Sequence, residues 1–391
     1  MTLSDLQFRL LHNWRIFKAW RSQAVRPRWV HTIRLNEATH HILAVPRTRM
    51  IAAIEEEAVY LHDWESITST TIPLVRDTDM VVVTAKTCWI DSIGQDVIAI
   101  LLAKDKGPSL DSEVQLFAVN PGTCATVFLN RVQFGYWVMA ISLADSFLMV
   151  VGYTPEDSFF LHTLDISYSV PSSVTSRVVL RIGMEWPIAA SSFAILDDFH
   201  VLLANPAGIV VYKVEAPILG SRGPSQPCWS HRYQSTDMLY RPPLSSVFPD
   251  PVSGQTLVSI FSKDFLRRVS MSQDQPPRFE LTTTRLVQAI GESNRQVTGG
   301  YHTGVQYGHH PGYGTEIFST LQFCHDGAEL HPFTSSFTTR EGGIKEGSVL
   351  FNMRDRRTER DSLQIDEGEG RVFLMSRGPP SGCAEVVILG L

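Results

Sequence analysis

The sequence predicts an all-β fold, a propeller-like ring of about six to seven blades behind one short N-terminal α-helix. Three observations predict it. A unit of acidic turn, apolar strand, polar loop and second strand, clearest from Ile90 to Asn120, returns several times. Its leading acids stand at 91, 145, 197, 250 and 366, so the steps are 54, 52, 53 and then 116, close to two periods. Repeats of roughly 40–50 residues built from short strands mark propeller blades, which bury their faces against neighbours and cannot stand alone. The alternative is one or two β-sandwiches with strands spaced by chance.

Within the clearest unit, Asp91-Ser92-Ile93-Gly94 reads as a turn, because Asp bonds local backbone and Gly accepts positive φ. Val97 to Ala103 is unbroken apolar sequence, the mark of a strand buried on both faces. A Gly-Pro loop leads to Val114, Leu116, Phe117 and Val119. Further copies centre on Phe147–Val151, Val201–Leu203, Leu257–Ile260 and Val372–Leu374, and a weaker one on Met50–Ile54. About 360 residues follow the helix, enough for six or seven such units.

At 391 residues the chain exceeds the usual single core, a limit that a ring of small cores escapes. An apolar content of 43% excludes disorder as the overall state. The net charge of −6 hides an asymmetry: residues 1–34 carry Lys18 and six arginines against Asp5 alone. A basic arm on an acidic body steers contacts with acidic partners but gives no broad nucleic-acid footprint. Cys88, Cys124, Cys228, Cys324 and Cys383 are scattered and odd in number, which fits thiols of a reducing compartment, cytoplasmic or nuclear. No segment has the length and purity of a membrane span.

The expected domains are 1–28, an amphipathic helix with a basic linker, and 29–391, the ring. The helix runs to about Ser22, with Leu3, Leu6, Leu10, Trp14 and Phe17 as one apolar stripe and Trp20 beside it. Its two tryptophans favour burial against protein. It reads as a helix packed on the ring or a neighbouring domain, as a partner-binding helix anchored by Trp14, Phe17 and Trp20, or as a mitochondrial presequence. Trp29 to Leu35 reads as a strand that completes the last blade beside Val386–Leu389 and so removes a sheet edge.

Ala216 to Ser246 is rich in Pro and Gly and reads as a long loop between blades; Trp229 within it is an apolar anchor or a blade residue. The stretch 299–325 falls where a sixth copy is due. It reads as a Tyr, His and Gly loop over the axis, with Tyr301, His302, Tyr307, His309, His310 and Tyr313 as partner contacts. His302, His309, His310, His325 and His331 lack the defined spacing of a metal site, so no metal or cofactor is expected. Residues 354–361 read as a solvated charged turn. No nucleophile elbow, phosphate loop or dinucleotide fingerprint occurs. Asp197-Asp198 occupies the repeated turn slot and reads as turn chemistry.

The opening LSDLQFRLLHNWRIFKAWRS, the basic linker after it, the repeated acid–Gly–apolar strand and the segment QIDEGEGRVFL near the end together carry a likeness. The chain resembles the region that follows the F-box in F-box-like proteins of mushroom-forming fungi. The resemblance spans most of the chain and rests on soft motifs. It implies a non-catalytic protein–protein module, the substrate-recognition part of a ubiquitin-ligase receptor, with the ligase adaptor and a substrate as partners and neither nucleic acid nor membrane. The Leu-Pro-x-Glu-like start with which an F-box docks on that adaptor is not found near this N-terminus. The competing expectation is a propeller-fold hydrolase with a polar site on the axis.

Overall fold

The computed structural model describes residues 3–20, 28–66, 71–76, 79–104, 111–145, 147–154, 158–168, 173–182, 191–214, 225–233, 244–245, 247–250, 253–261, 265–285, 296–299, 303–310, 315–322, 333–338, 362–366, 369–377 and 384–390. Between 296 and 338 the description is of backbone alone. Helix α1 spans Leu3–Trp20 and strand β1 spans Trp29–Leu35. Blade 1 is β2 His41–Ala44, β3 Met50–Ile54, β4 Val59–Asp63 and β5 Thr71–Val75. Blade 2 is β6 Val81–Ile90, β7 Gln95–Ala103, β8 Ser112–Val119 and β9 Thr126–Phe134. Blade 3 is β10 Trp137–Leu143, β11 Phe147–Thr154, β12 Ser158–Ser167 and β13 Ser173–Arg181. Blade 4 is β14 Ser192–Asp197, β15 His200–Asn205, β16 Gly208–Lys213 and β17 Trp229–Arg232. Blade 5 is β18 Phe248–Pro249, β19 Thr256–Phe261, β20 Phe265–Met271 and β21 Phe279–Arg285. Blade 6 is β22 Gln296–Gly299, β23 Thr303–His310, β24 Thr315–Gln322 and β25 Phe333–Thr338. Blade 7 is β26 Ser362–Asp366, β27 Arg371–Arg377, β28 Ala384–Gly390 and, as its outermost strand, β1.

Each sheet is a four-stranded antiparallel meander. The sheets meet in succession through their first strands, except that blade 5 does so through its second, β19: β2 with β6, β6 with β10, β10 with β14, β14 with β19, β19 with β22, β22 with β26 and β26 with β2. The all-β propeller read from the repeat is therefore the observed fold. The ring closes with a strand from the other end of the chain. Trp29 pairs Gly390 and the register runs without a break to Leu35 against Ala384. Closure gives the edge of β28 its hydrogen bonds and leaves no open template there.

The unbroken apolar runs follow from this layout. A blade's second strand has a neighbouring blade on each side, so both of its faces are buried. Ile98, Ile100 and Leu102 pack toward blade 1, while Val97, Ala99 and Leu101 pack toward blade 3, and all six are fully buried. Large side chains so placed stabilise the fold by about 1.5–3 kcal/mol each. The seams between blades 3 and 4 and between blades 4 and 5 repeat the pattern around Val201, Leu203 and Tyr212, and around Leu202, Val211 and Val258.

The leading acids all lie where a blade's first strand turns into its second. Three of them cap that turn: Asp197 accepts the Phe199 N–H at 2.7 Å, Asp250 the Ser253 N–H at 3.2 Å and Asp366 the Glu369 N–H at 3.2 Å. Asp145 instead reaches across the seam and accepts the Ser92 N–H of blade 2 at 3.3 Å. In a meander, first-to-second and third-to-fourth turns share one end of the ring. That end is called the hairpin face below.

Two expectations are corrected. Ala216–Ser246 is not one loop, because β17 lies inside it and pairs with β16, Val211 opposite Trp229. Trp229, His231 and Tyr233 lay aromatic surface along that strand, and this outweighs the surrounding prolines. The stretch 299–325 is not a loop over the axis either. β23 and β24 occupy 303–310 and 315–322, paired from Thr303 opposite Gln322 to His310 opposite Thr315. The glycines at 304 and 308 alternate with larger residues, and the ladder tolerates them. Helix α1 is described from Leu3 to Trp20, and among its described side chains Leu10, Leu11 and Trp14 are 61%, 57% and 61% exposed while Ile16 is buried. The charged stretch 354–361 lies outside the described residues.

At the closure, a Cβ on Gly390 would stand inside the Trp29 indole, which stacks on Trp64 with centroids 5.3 Å apart. Gly390→Val is expected to dislodge Trp29 and to cost about 1–2 kcal/mol, the low end of overpacking because an edge-strand indole can move outward. Urea unfolding followed by tryptophan fluorescence reads this directly.

Candidate interaction site

Among the described residues, two positions hold helix α1 to the hairpin face. Ile16 is buried, and one turn earlier His12 Nε2 lies 3.6 Å from Glu369 Oε2 in the first turn of blade 7. These two positions share one side of the helix. Leu10 and Trp14, also one turn apart, lie with Leu11 on the opposite side, and Arg15 and Lys18 beside them are exposed. Among the described side chains, α1 thus turns three large apolar groups outward with cations at their border, the pattern of a helix face that fits an apolar groove.

The hairpin face also carries an open cavity of about 1250 Å³ between blades 4 and 5. Phe199, Met271, Pro276 and Phe279 supply apolar walls, and Asp197, Lys213 and Asp274 supply charge. Phe199 stands at the tip of a turn and is 51% exposed. Beneath it, the buried His200 donates through Nδ1 to Asp197 at 2.9 Å, and Phe279 meets the imidazole edge-on at 5.7 Å. Burial alone would raise the Asp197 pKa, but the bonds from His200 and from the Phe199 N–H outweigh it and hold the carboxyl below its ordinary value. Cys228 opens on the same cavity. Burial pushes its pKa up, and its Sγ donates to the Val211 carbonyl at 3.3 Å. A thiol kept protonated in this way is a poor nucleophile, so acid, imidazole and sulfur here brace two turns.

A third concentration of charge lies where blades 7, 1 and 2 meet at the hairpin face. Arg47, at φ 59° in the first turn of blade 1, lays its guanidinium over the Trp89 ring at 3.9 Å. The Trp89 indole N–H donates to Asp91 at 2.6 Å. Arg371 is buried, donates to the Thr48 carbonyl, and lies 3.2 Å from Glu369 and 3.7 Å from Asp366. Asp96 has 0% exposure, and both of its carboxylate oxygens lack a hydrogen-bond partner among the described residues.

Of the residues singled out from sequence, Trp14 and Trp229 have described side chains, and they stand on different elements. Trp14 is on α1 and exposed; Phe17 and Trp20 are on α1, but their side chains lie outside the described residues. Trp229 is half-buried on β17 and packs on Phe279 at 5.9 Å, so it forms part of the blade 4–5 seam beside the cavity. Tyr307, His309 and His310 fall on β23, and Tyr301, His302 and Tyr313 lie outside the described residues. Among the described residues no cluster of His, Cys, Asp or Glu is arranged to hold a metal ion, and no helix is long and apolar enough to cross a membrane. Sequence reasoning missed Phe199 and Asp96. The first had a signal, a large aromatic inside the polar turn Asp197-Asp198-Phe199-His200.

No family model matches this chain, and no curated protein does. Solved structures do. The chain is similar to a subunit of the Saccharomyces cerevisiae core factor, at 7% identity and a TM-score of 0.52, covering 92% of this chain and 61% of that one. It is also similar to the WD40 domain of SCAP from fission yeast, at 7% identity, TM-score 0.45, 91% of this chain and 85% of that. A chain of the mitotic checkpoint complex matches at 12% identity, TM-score 0.45, 95% of this chain and 96% of that. At such identities the likeness bears on the fold alone.

Proposed function

We propose that this chain is a non-catalytic protein–protein interaction module. The outward face of α1, Leu10, Leu11 and Trp14, is the observation that carries the proposal. Leaving that much apolar surface in water is a cost that a partner removes, at about 25 cal/mol per Å² covered. The exposed Arg15 and Lys18 select an acidic rim.

The finer proposal is that the module is the substrate-recognition part of an F-box-related ubiquitin-ligase receptor, working in the cytoplasm or nucleus. It rests on the resemblance of residues 3–22 and 364–374 to the region after the F-box. The hydrolase reading would draw on Asp96 and Asp366, which come from different blades and both have raised pKa values, burial being the main cause in each. With 0% and 9% exposure neither reaches a substrate, which favours the interaction module.

The test is co-purification of the tagged chain from its own cells beside Trp14→Glu. The variant is expected to melt within about 0.5 kcal/mol of the parent, as exposed substitutions do, and to lose the specific partners. Recovery of the ligase adaptor with the parent alone supports the finer reading. Identical partner sets for parent and variant contradict the role given to α1.

A further inference from the structure

Two turns of the hairpin face, one from blade 4 and one from blade 5, line the open cavity of about 1250 Å³. The first, Asp197–His200, joins β14 to β15, and the second, 272–278, joins β20 to β21. Both are fixed by their own bonds. Asp197 caps the first turn. In the second, the Ser272 N–H donates to the Arg278 carbonyl at 2.9 Å, and the Arg278 N–H donates to Ser272 Oγ at 2.9 Å. Phe279 packs on both His200, at 5.7 Å, and Trp229, at 5.9 Å. The walls are therefore set before anything binds, which lowers the ordering cost of recognition.

The surface held in this way is apolar and acidic together. Phe199 and Pro276 are exposed and Phe279 is half-buried, so aromatic and proline surface meets water inside a concave site. Asp197 and Asp274 also line it, with Asp198 exposed in the turn of Asp197, against the one ammonium of Lys213. Asp274 lies 3.9 Å from Arg278, both side chains being largely exposed, and such pairs hold little. A cation carried by a ligand can take Asp274 over. The body of the chain is acidic as well, since the net charge of −6 already includes the cationic residues 1–34, and that field favours a basic ligand. Sites for drug-sized molecules measure about 300–1,000 Å³; this one is larger and open, as a cleft for a chain segment is.

We propose that the cavity between blades 4 and 5 is a docking site for a short extended segment of a partner protein that carries an arginine beside an apolar residue. Complementarity of charge and surface selects that occupant. A guanidinium is planar, so it stacks on an aromatic face such as that of Phe199 while its N–H fork meets the carboxylates of Asp197 and Asp274. The apolar neighbour covers Pro276 and Phe279. The inference deepens the reading of the chain as an interaction module and rests on it, but its residues are separate from α1.

The experiment offers the intact chain pools of acetylated, amidated hexapeptides in which one position is fixed and the rest are drawn from Gly, Ala, Leu and Phe. The fixed residue is arginine in one pool, its uncharged isostere citrulline in the second and glutamate in the third. Retained peptides are identified by ultrafiltration and mass spectrometry, and calorimetry gives their affinities. Arginine peptides are expected to bind at least about tenfold more tightly than the same sequences with citrulline, the loss of one charge-assisted contact. Phe199→Ser and Asp274→Ser stand at exposed positions and should fold as the parent does. Each should weaken the arginine peptides at least about threefold, the size of one cation–π contact or one exposed ion pair. Trp14→Glu should bind them as the parent does. No binding from any pool, equal binding of arginine and citrulline, preference for glutamate, or unchanged affinity in either cavity variant overturns the proposal. So does peptide binding that a rising concentration of the chain suppresses, because a second copy is then the occupant. Loss of peptide binding in Trp14→Glu moves the peptides to α1 and overturns it as well. The interaction reading fails by a separate result, identical co-purified partners for the parent and Trp14→Glu.

Discussion

Arg371→Met is expected to cost the fold about 3–5 kcal/mol, the usual consequence of leaving a buried charge without its partner. Arg371 is a cross-blade tie. Its guanidinium donates to the Thr48 carbonyl of blade 1, faces Asp366 and Glu369 of its own blade, and lies 5.6 Å from the Trp64 ring centre. Burial raises the Asp366 pKa, and Arg371 opposes that rise. Without the cation, Asp366 must take up a proton or open the seam at which the ring closes. Urea unfolding of Arg371→Met and of the double variant Asp366→Asn with Arg371→Met measures this. The double variant should regain a large part of the loss, because it removes the orphaned charge. A loss under about 1 kcal/mol in the single variant, the range of exposed pairs, would show that the tie is solvated and does not hold the closure.

Asp96→Asn is expected to do the opposite and stabilise the protein at neutral and alkaline pH. The Asp96 carboxyl is closed to water and has no hydrogen-bond partner among the described residues. Its pKa is raised from 3.8 to about 7, by burial above all, with Arg47 lowering it and Asp366 raising it further. A group whose folded pKa lies above its unfolded value stabilises fully below the unfolded value, and that contribution is lost as the pH rises through the folded one. The window therefore runs from about pH 4 to about pH 7. At pH 4 Asp96→Asn and the parent should be equally stable. Above pH 7 the variant should lead by on the order of 2–4 kcal/mol, since each pKa unit is worth about 1.36 kcal/mol and relaxation of the site takes part of the total. Denaturant curves at several pH values decide it. A parent that matches or exceeds the variant at pH 8 would mean that Asp96 is paired in solution, with Arg47 leaving the Trp89 ring as the obvious partner.

The repeat was legible because its turn chemistry recurs. Asp197, Asp250 and Asp366 accept backbone N–H groups within their own turns, so the same residue type is needed at the same phase of each blade. The closing strand was legible for a related reason: Trp29–Leu35 has strand composition and Val386–Leu389 needs a partner. Blade 6 was hidden. The glycines and histidines between 299 and 325 read as a loop, and only pairing with β24 makes a strand of 303–310. The direction of α1 was hidden as well. An apolar stripe says that a helix buries something, but not whether its own ring or another protein is the cover. Ile16 and His12, modest in the sequence, turn out to mark the side that faces the ring. Asp96 was invisible, because a carboxylate at the start of an apolar strand looks like one more turn residue until its burial is seen.

The most direct test of the account places a photo-crosslinking amino acid at position 14 in the full chain, expressed in its own cells, with a second copy of the experiment at position 199. Illumination is expected to join position 14 to a distinct protein, and Leu10→Glu to abolish the product while leaving the ring folded. Cross-links from position 14 that fall only within the chain itself, or none at all, would contradict the claim that the outward face of α1 is where this propeller meets its partner.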